Sequence, residues 1–199
     1  MATTLTGATL VDFAKTVTIG DSTLDALTVS GTTANFHGTV NSGATFANNL
    51  TVNATNTLFA GEVGNAANGA LGTLTTDATG TTTISTDVVK GDTLQFNDDV
   101  TTTVATTLSG TTLVDFAKSV TIGTGAGQAL TVGGASANFH GTVNSGATFA
   151  NNLTVNATNT LFAGEVGNGT NGTLGTLTTD ATGTTTISTD VVKGDTLQF

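Results

Sequence analysis

Two histidines are the first residues of this sequence whose chemistry needs an explanation. His37 and His140 occur in the same surroundings, ANFHGTVNSG, in two halves of the chain. A shorter internal repeat, described below, puts Ala14, Ala60 and Asn97 at the equivalent position. Because this position is not paired with a fixed serine or carboxylate, it predicts neither a Ser-His-Asp arrangement nor a metal site. We therefore expect both histidines to lie at exposed corners.

The densest acidic point of the chain is the run Asn97, Asp98 and Asp99, with Asp87 and Asp92 not far away in the sequence. Calcium prefers oxygen ligands of this kind. However, the sequence has neither the spacing of an EF-hand loop nor that of a calcium-binding nonapeptide repeat. We expect solvated turn carboxylates here, and no metal site.

The tripeptide Lys90-Gly91-Asp92, repeated as Lys193-Gly194-Asp195, resembles an integrin-recognition loop. A match of three residues in a turn-forming context is weak evidence for a recognition loop, so we interpret this likeness as chance. No catalytic, cofactor-binding or metal-binding residue is predicted, and the chain is not expected to be an enzyme.

Composition excludes several kinds of partner. The 199 residues carry a net charge of −10, with four lysines and no arginine. Nucleic acids and anionic membranes are bound through clustered Lys and Arg, so neither is expected as a partner. The absence of cysteine excludes disulfides and thiolate metal sites. A chain rich in Thr, Val and Gly but without proline favours strands.

The sequence that contains these residues occurs in two similar copies. Residues 1–96 match residues 104–199 without gaps, and the seven residues NDDVTTT (97–103) join the two copies. We expect two solenoid repeat copies with a continuous junction, cut from a longer tandem array. The first residues have no basic segment or apolar run typical of a signal peptide, and no stretch is long enough for a membrane span. Any secretion signal or anchor is expected outside this fragment.

A finer repeat with a period near 23 residues predicts the fold. One motif, Phe-x-x-x-Val, begins at Phe13, Phe36 and Phe59, and a second motif, Leu-x-Val, begins at Leu27 and Leu50. Short alternating apolar runs separated by Gly, Asn and Asp at such a period are typical of a β-solenoid. We predict an all-β, right-handed parallel β-helix, with the hand taken from the crossover preference of parallel strands.

The phenylalanines are expected to form the core. Each Phe-x-x-x-Val motif is interpreted as a corner, where one strand ends at Phe and the next begins at Val. Stacking then places Phe36 over Phe13 and Phe59 over Phe36 at about 4.8 Å, with Phe139 and Phe162 stacked likewise in the second copy. The coil count is four or five per 103-residue repeat, because the short step from Ile84 to Phe96 fits either a full coil or two faces of one coil.

Three runs of the sequence resemble a known family. LTTDATGTTTISTDVV (74–89), TLQFNDDVTTTVATTLSG (93–110) and ANFHGTVNSGATF (34–46) are similar to repeats of giant bacterial filamentous-haemagglutinin-like adhesins. The resemblance covers essentially the whole chain and implies a right-handed β-helix secreted to the bacterial cell surface, serving as a stalk or adhesive fibre.

The predicted function is therefore a non-catalytic rod segment of a large extracellular surface protein. Expected partners are other copies, through end-to-end stacking of coils, and an unidentified cell-surface receptor; no membrane insertion is expected. Two alternatives stay open: a self-assembling filament subunit, and an ice-binding solenoid with a threonine ladder. Thr28, Thr51 and Thr75 form one regular rank of such a ladder. The rank beside it changes from Ser30 to Asn53, which interrupts a two-rank ice surface.

Overall fold

A computed structural model describes residues 1–45, 47–147 and 150–199. The described residues form no helix and are built from parallel strands. The strands of the first copy are β1 (Ala2–Thr6), β2 (Leu10–Phe13), β3 (Val17–Ile19), β4 (Ala26–Phe36), β5 (Val40–Ser42), β6 (Asn49–Phe59), β7 (Leu71–Thr76), β8 (Thr81–Ile84) and β9 (Val88–Phe96). The junction and second copy contain β10 (Asp99–Thr102), β11 (Thr106–Phe116), β12 (Val120–Ile122), β13 (Ala129–Phe139), β14 (Val143–Ser145), β15 (Asn152–Phe162), β16 (Leu174–Thr179), β17 (Thr184–Ile187) and β18 (Gly194–Gln198).

The strands stack as a β-solenoid of about 8 turns, which confirms the predicted fold class. Every strand pairing is parallel, for example Phe36 with Phe59 between β4 and β6. Paired residues of neighbouring coils are 18 to 26 positions apart in the chain, as the pairs Thr82–Val100 and Val63–Val89 illustrate. Strand pairing alone does not test the hand of the winding, so the right hand stays a prediction.

Each coil consists of three stacking segments, which β4 and β5 illustrate. Segment 1 is residues 26–30, segment 2 is residues 33–36, and segment 3 is residues 40–42. Within β4 the buried positions change parity, from Leu27 and Val29 to Ala34 and Phe36, so an irregularity near Thr32 separates the first two segments. The corner after Phe36 continues the backbone ladder, because the N–H of His37 donates to the carbonyl of Phe13 at 2.9 Å.

The core is a set of columns of like side chains. Phe36 is fully buried, with its ring 4.9 Å from that of Phe13 and 5.1 Å from that of Phe59. The interplanar angles of these pairs are 13° and 18°, so the rings are stacked. Phe139 and Phe162 are equally buried and lie 5.1 Å apart. The predicted burial and stacking of these four phenylalanines is therefore confirmed.

The second copy does not continue the columns of the first. Phe59 of segment 2 stacks on Ile84. Phe96, in contrast, stacks on Phe116 at 5.4 Å in a second aromatic column, and this column belongs to segment 1. Ile84 and Phe96 thus occupy different segments of the solenoid, which selects the second interpretation of the short step between them.

The whole second copy is therefore shifted by one segment. The Leu-x-Val motif stacks in segment 1 in the first copy, where Leu50 pairs with Leu27. In the second copy the same motif lies in segment 3, where Val132 pairs with Leu108, which itself pairs with Val89. The 103-residue repeat thus corresponds to four coils plus two segments, one segment short of five coils.

The shift arises because some coils are shorter. Early coils carry a loop between segments 3 and 1, for instance residues 20–25, before the next strand begins. In β9, the chain passes from segment 3 to segment 1 within one continuous strand, without that loop. The junction strand β10 pairs with β8 on one side and β12 on the other, so the stack runs through both copies without interruption.

Candidate functional site

The two histidines lie at exposed corners, as predicted. Their side chains are 49% and 46% exposed. Each ring faces a carboxylate from the preceding coil: Nε2 of His37 lies 3.2 Å from Oδ1 of Asp12, and Nε2 of His140 lies 3.2 Å from Oδ1 of Asp115. Exposed ion pairs of this kind contribute little to stability.

These His–Asp pairs were not predicted from the sequence. The stacking register indicates such a pair, because Asp12 pairs with Asn35 in the neighbouring coil and His37 follows Asn35 by two residues. The amide of Asn138 shares Asp115 with His140, donating to the same Oδ1 at 3.1 Å. These contacts tie one coil to the next, and they occupy the carboxylate with protein donors.

Asp98 corrects the prediction of a solvated acidic turn. Its side chain is fully buried. Its two carboxylate oxygens accept hydrogen bonds from the hydroxyls of Thr76, at 2.7 Å, and Thr82, at 2.8 Å. Asp98 is inward because it continues the alternation of Leu94 and Phe96 along the chain. That parity was the missed sequence signal.

Burial shifts the ionisation of Asp98. Removal from water disfavours the charged form and raises the pKa of this carboxyl above its ordinary value, although the Thr76 and Thr82 hydroxyls act in the opposite direction. The nearby negative charge of Asp77 raises the pKa of Asp98 further. The second copy shows the arrangement without this carboxylate: there the hydroxyl of Thr185 donates directly to that of Thr179 at 3.0 Å.

The remaining acidic residues near the junction are engaged with the chain. Asn97 donates from its amide to the carbonyl of Thr76 at 2.8 Å, and Oδ1 of Asp99 accepts from the N–H of Ser119 at 3.1 Å. Asp92 accepts from the hydroxyl of Thr112 at 2.7 Å. Among the described residues, no group of three His, Cys, Asp or Glu side chains is placed to hold a metal ion.

The tripeptide Lys90-Gly91-Asp92 was interpreted as lying in a turn, and this is wrong. It lies inside strand β9, where Gly91 is buried and pairs with Gly110. Nζ of Lys90 donates to Oδ1 of Asn65 at 2.5 Å. A recognition loop needs an exposed, protruding backbone, so this geometry gives the motif no binding role.

The threonine ladder exists, but it changes segment. Thr28, Thr51 and Thr75 stack in register on segment 1, and the next position is Gln95. A second ladder stacks on segment 3 in the second copy, with members Thr107, Thr131, Thr154 and Thr178. The one-segment shift therefore divides the threonines between two sides of the rod. Neither ladder continues far enough to make one long, regular surface for ice.

In the part of the chain that the structure describes, the predicted residues make contacts between stacked coils, and they do not converge in a cleft. The described residues contain no helix long and apolar enough to cross a membrane. The chain matches none of the family models, curated proteins or solved structures with which it was compared. The resemblance to filamentous-haemagglutinin-like adhesins accordingly stays a prediction.

Proposed function

We propose that this chain is a rod or stalk segment of a large extracellular, adhesin-like bacterial surface protein, with a mechanical rather than a catalytic role. The observation that carries the proposal is the uninterrupted stack through the junction. Val100 of β10 pairs with Thr82 of the first copy and with Val120 of the second. A block that joins to its own copy in this way lengthens the rod each time it is duplicated.

The core supports a spacer that resists bending and unravelling. Phenylalanine columns lie on segment 2 and then segment 1, and valine columns lie on segment 3 and then segment 2. Together they hold successive coils in contact, and the parallel ladders satisfy the backbone. With about 8 turns at roughly 4.8 Å per coil, the chain is a rod about 40 Å long. Outside the two threonine ladders the outward side chains change from coil to coil, as Ser30 and Asn53 do, which fits a spacer better than a repeated ligand site.

Small-angle X-ray scattering tests the mechanical part of the proposal. The 199-residue chain is compared with a variant carrying one further 103-residue block, joined through NDDVTTT. The added block is expected to lengthen the particle by about 20 Å at constant cross-section. A matched control carries the same block without the seven junction residues. A particle that becomes wider rather than longer would contradict the spacer proposal.

Cellular location is tested separately. Antibodies raised against the purified chain are applied to intact and to permeabilised cells of the source organism. Labelling of intact cells is the expected result. Labelling that requires permeabilisation would refute the surface assignment, and would leave the rod geometry untouched. Adhesion itself is tested by binding of the purified chain to host-cell surfaces. The control is the same chain after it has been unfolded in denaturant and the denaturant has been removed.

A further inference from the structure

Both ends of the rod expose side chains of the core. The N-terminal coil opens into a cavity of about 540 Å³, whose lining includes the apolar side chains of Leu5, Phe13, Val17, Ile19 and Leu27. At the C-terminal coil the side chains of Ile187, Leu197 and Phe199 are 45%, 40% and 59% exposed. The equivalent side chains of inner coils, such as Leu94 and Phe96, are fully buried.

The interior of the chain shows what covers such an end. Strand β9 of the first copy pairs with β11 of the second, with Val89 on Leu108, Leu94 on Val114 and Phe96 on Phe116. The last pair is stacked, with 5.4 Å between ring centroids and 12° between planes. This pairing is a contact between the end of one copy and the beginning of the next.

The same residues stand at the two ends of the 199-residue chain. The C-terminal end repeats β9 as VVKGDTLQF (191–199), and the N-terminal end repeats the paired residues of β11 as TLTG (4–7) and LVDF (10–13). In the paired positions the only difference is Thr6 in place of Ser109. The two ends are therefore complementary surfaces, already seen in contact within the chain.

We propose that the C-terminal coil of one chain docks on the N-terminal coil of a second copy in the register of β9 on β11. Phe199 stacks on Phe13 of the second copy, and Leu197 lies against its Val11. Val192 lies against its Leu5. The internal hydrogen bond from Thr112 to Asp92, 2.7 Å long, has its counterpart between Thr9 and Asp195.

This contact is heterologous, so it extends rather than closes. Each docked chain leaves one free N-terminal and one free C-terminal coil, and growth continues into a filament. The inference goes beyond the proposed spacer function, because a stalk needs no contact between separate chains. Net charge opposes the contact, since every chain carries −10. Added salt screens this repulsion and should strengthen association.

In this register, the contact between two chains lacks one strand on one of the three segments. Inside the chain, β10 fills the position between β8 and β12, where the buried Val100 pairs with Thr82 and Val120. Between two chains in the proposed register, Thr185 and Val17 take those flanking places, and no strand equivalent to β10 lies between them. The docked contact is therefore incomplete on one of three segments, and residues with the sequence of 97–103 would complete it.

Sedimentation velocity of the full chain over a wide concentration range, at low and high salt, tests the proposal. The weight-average mass is expected to rise with concentration and salt without a plateau at two chains. Phe199→Asp places a charge in the contact and is expected to abolish this rise. The matched control is Val104→Asp, because Val104 is 37% exposed in the middle of the rod, away from both ends. Loss of association in both variants, or in neither, would overturn the docking register.

A second variant tests the missing strand. Adding NDDVTTT after Phe199 should lower the concentration needed for half-association by about tenfold or more, since burial of one valine supports a change of that size. The control extension, NDDKTTT, places lysine at the buried position and should give no gain. A chain that stays monomeric with either extension, or that stops at a closed dimer, would refute the inference. Neither result would bear on the length of the rod measured by scattering.

Discussion

Replacement of Phe36 by alanine tests the aromatic column most sharply. The ring is fully buried and stacked between Phe13, at 4.9 Å, and Phe59, at 5.1 Å. The neighbouring rings cannot close the gap, because the ladder between β4 and β6 sets the spacing of the coils. We therefore expect the full cost of an uncollapsed site, about 3–5 kcal/mol of unfolding free energy. For a chain of this size, that corresponds to a Tm lower by about 6–20 °C.

The assay is urea and thermal unfolding followed by circular dichroism. Phe139→Ala, in the second column, is expected to cost about as much, since Phe139 is equally buried between Phe116 and Phe162. Phe199→Ala is the matched control, because that ring is 59% exposed and its loss should cost less than about 0.5 kcal/mol. A loss below about 1 kcal/mol for Phe36→Ala would show that the columns do not carry the core.

Three further predictions concern the corners, the buried carboxylate and metals. A Cβ added at Gly61 would lie 2.3 Å from the carbonyl oxygen of Gly38, so Gly61→Ala should destabilise the chain in urea unfolding, whereas Gly125→Ala, with nothing within 4 Å, should have little effect; equal effects would argue against tight corner stacking. Burial raises the folded-state pKa of Asp98, so the folded chain binds more protons than the unfolded chain between the unfolded value near 3.8 and the folded value, and stability falls as pH rises through that window. Asp98→Asn removes this dependence, so its unfolding free energy relative to that of the unmodified chain should be higher at pH 7 than at about pH 3.5, below the unfolded pKa. A difference in unfolding free energy that is the same at both pH values would contradict the burial of the charge. EDTA should leave the Tm unchanged, and a large drop reversed by calcium would restore a metal site at residues 97–99.

Much of the fold could be predicted from sequence because a solenoid repeats its signals. The spacing of Phe13, Phe36 and Phe59 gives the coil length, and alternation in Leu27-Thr28-Val29 gives the inward face. The strand ends follow too, since β4 ends at Phe36 and β5 begins at Val40, as the corner interpretation of Phe-x-x-x-Val requires. These features depend on local pattern and on the stacking of like residues.

The one-segment shift could not be predicted from the repeat pattern, because it depends on the lengths of the individual coils, and these lengths vary. A fixed period of 23 residues after Phe59 reaches positions 82 and 105, so it does not assign Phe96 to a column, whereas the pairing of β9 with β7 and β11 places Phe96 on segment 1. The inward carboxylate of Asp98 was missed for a different reason. Composition assigns an aspartate in an acidic run to solvent, but parity with Leu94 and Phe96 places it inside, where Thr76 and Thr82 satisfy it.

The central claim is the stacking order, in which the second copy is shifted by one segment. Engineered disulfides measure it directly, since the chain has no cysteine of its own. In the structure Gln95 pairs with Thr75 on segment 1, while Thr83 belongs to segment 2 and pairs with Thr101. Paired positions of neighbouring coils are close enough for a disulfide. Under mild oxidation, the double variant Thr75→Cys/Gln95→Cys should therefore form an intramolecular disulfide, and Thr83→Cys/Gln95→Cys should not. The opposite result would place Phe96 in the column of Ile84 and contradict the shifted stack.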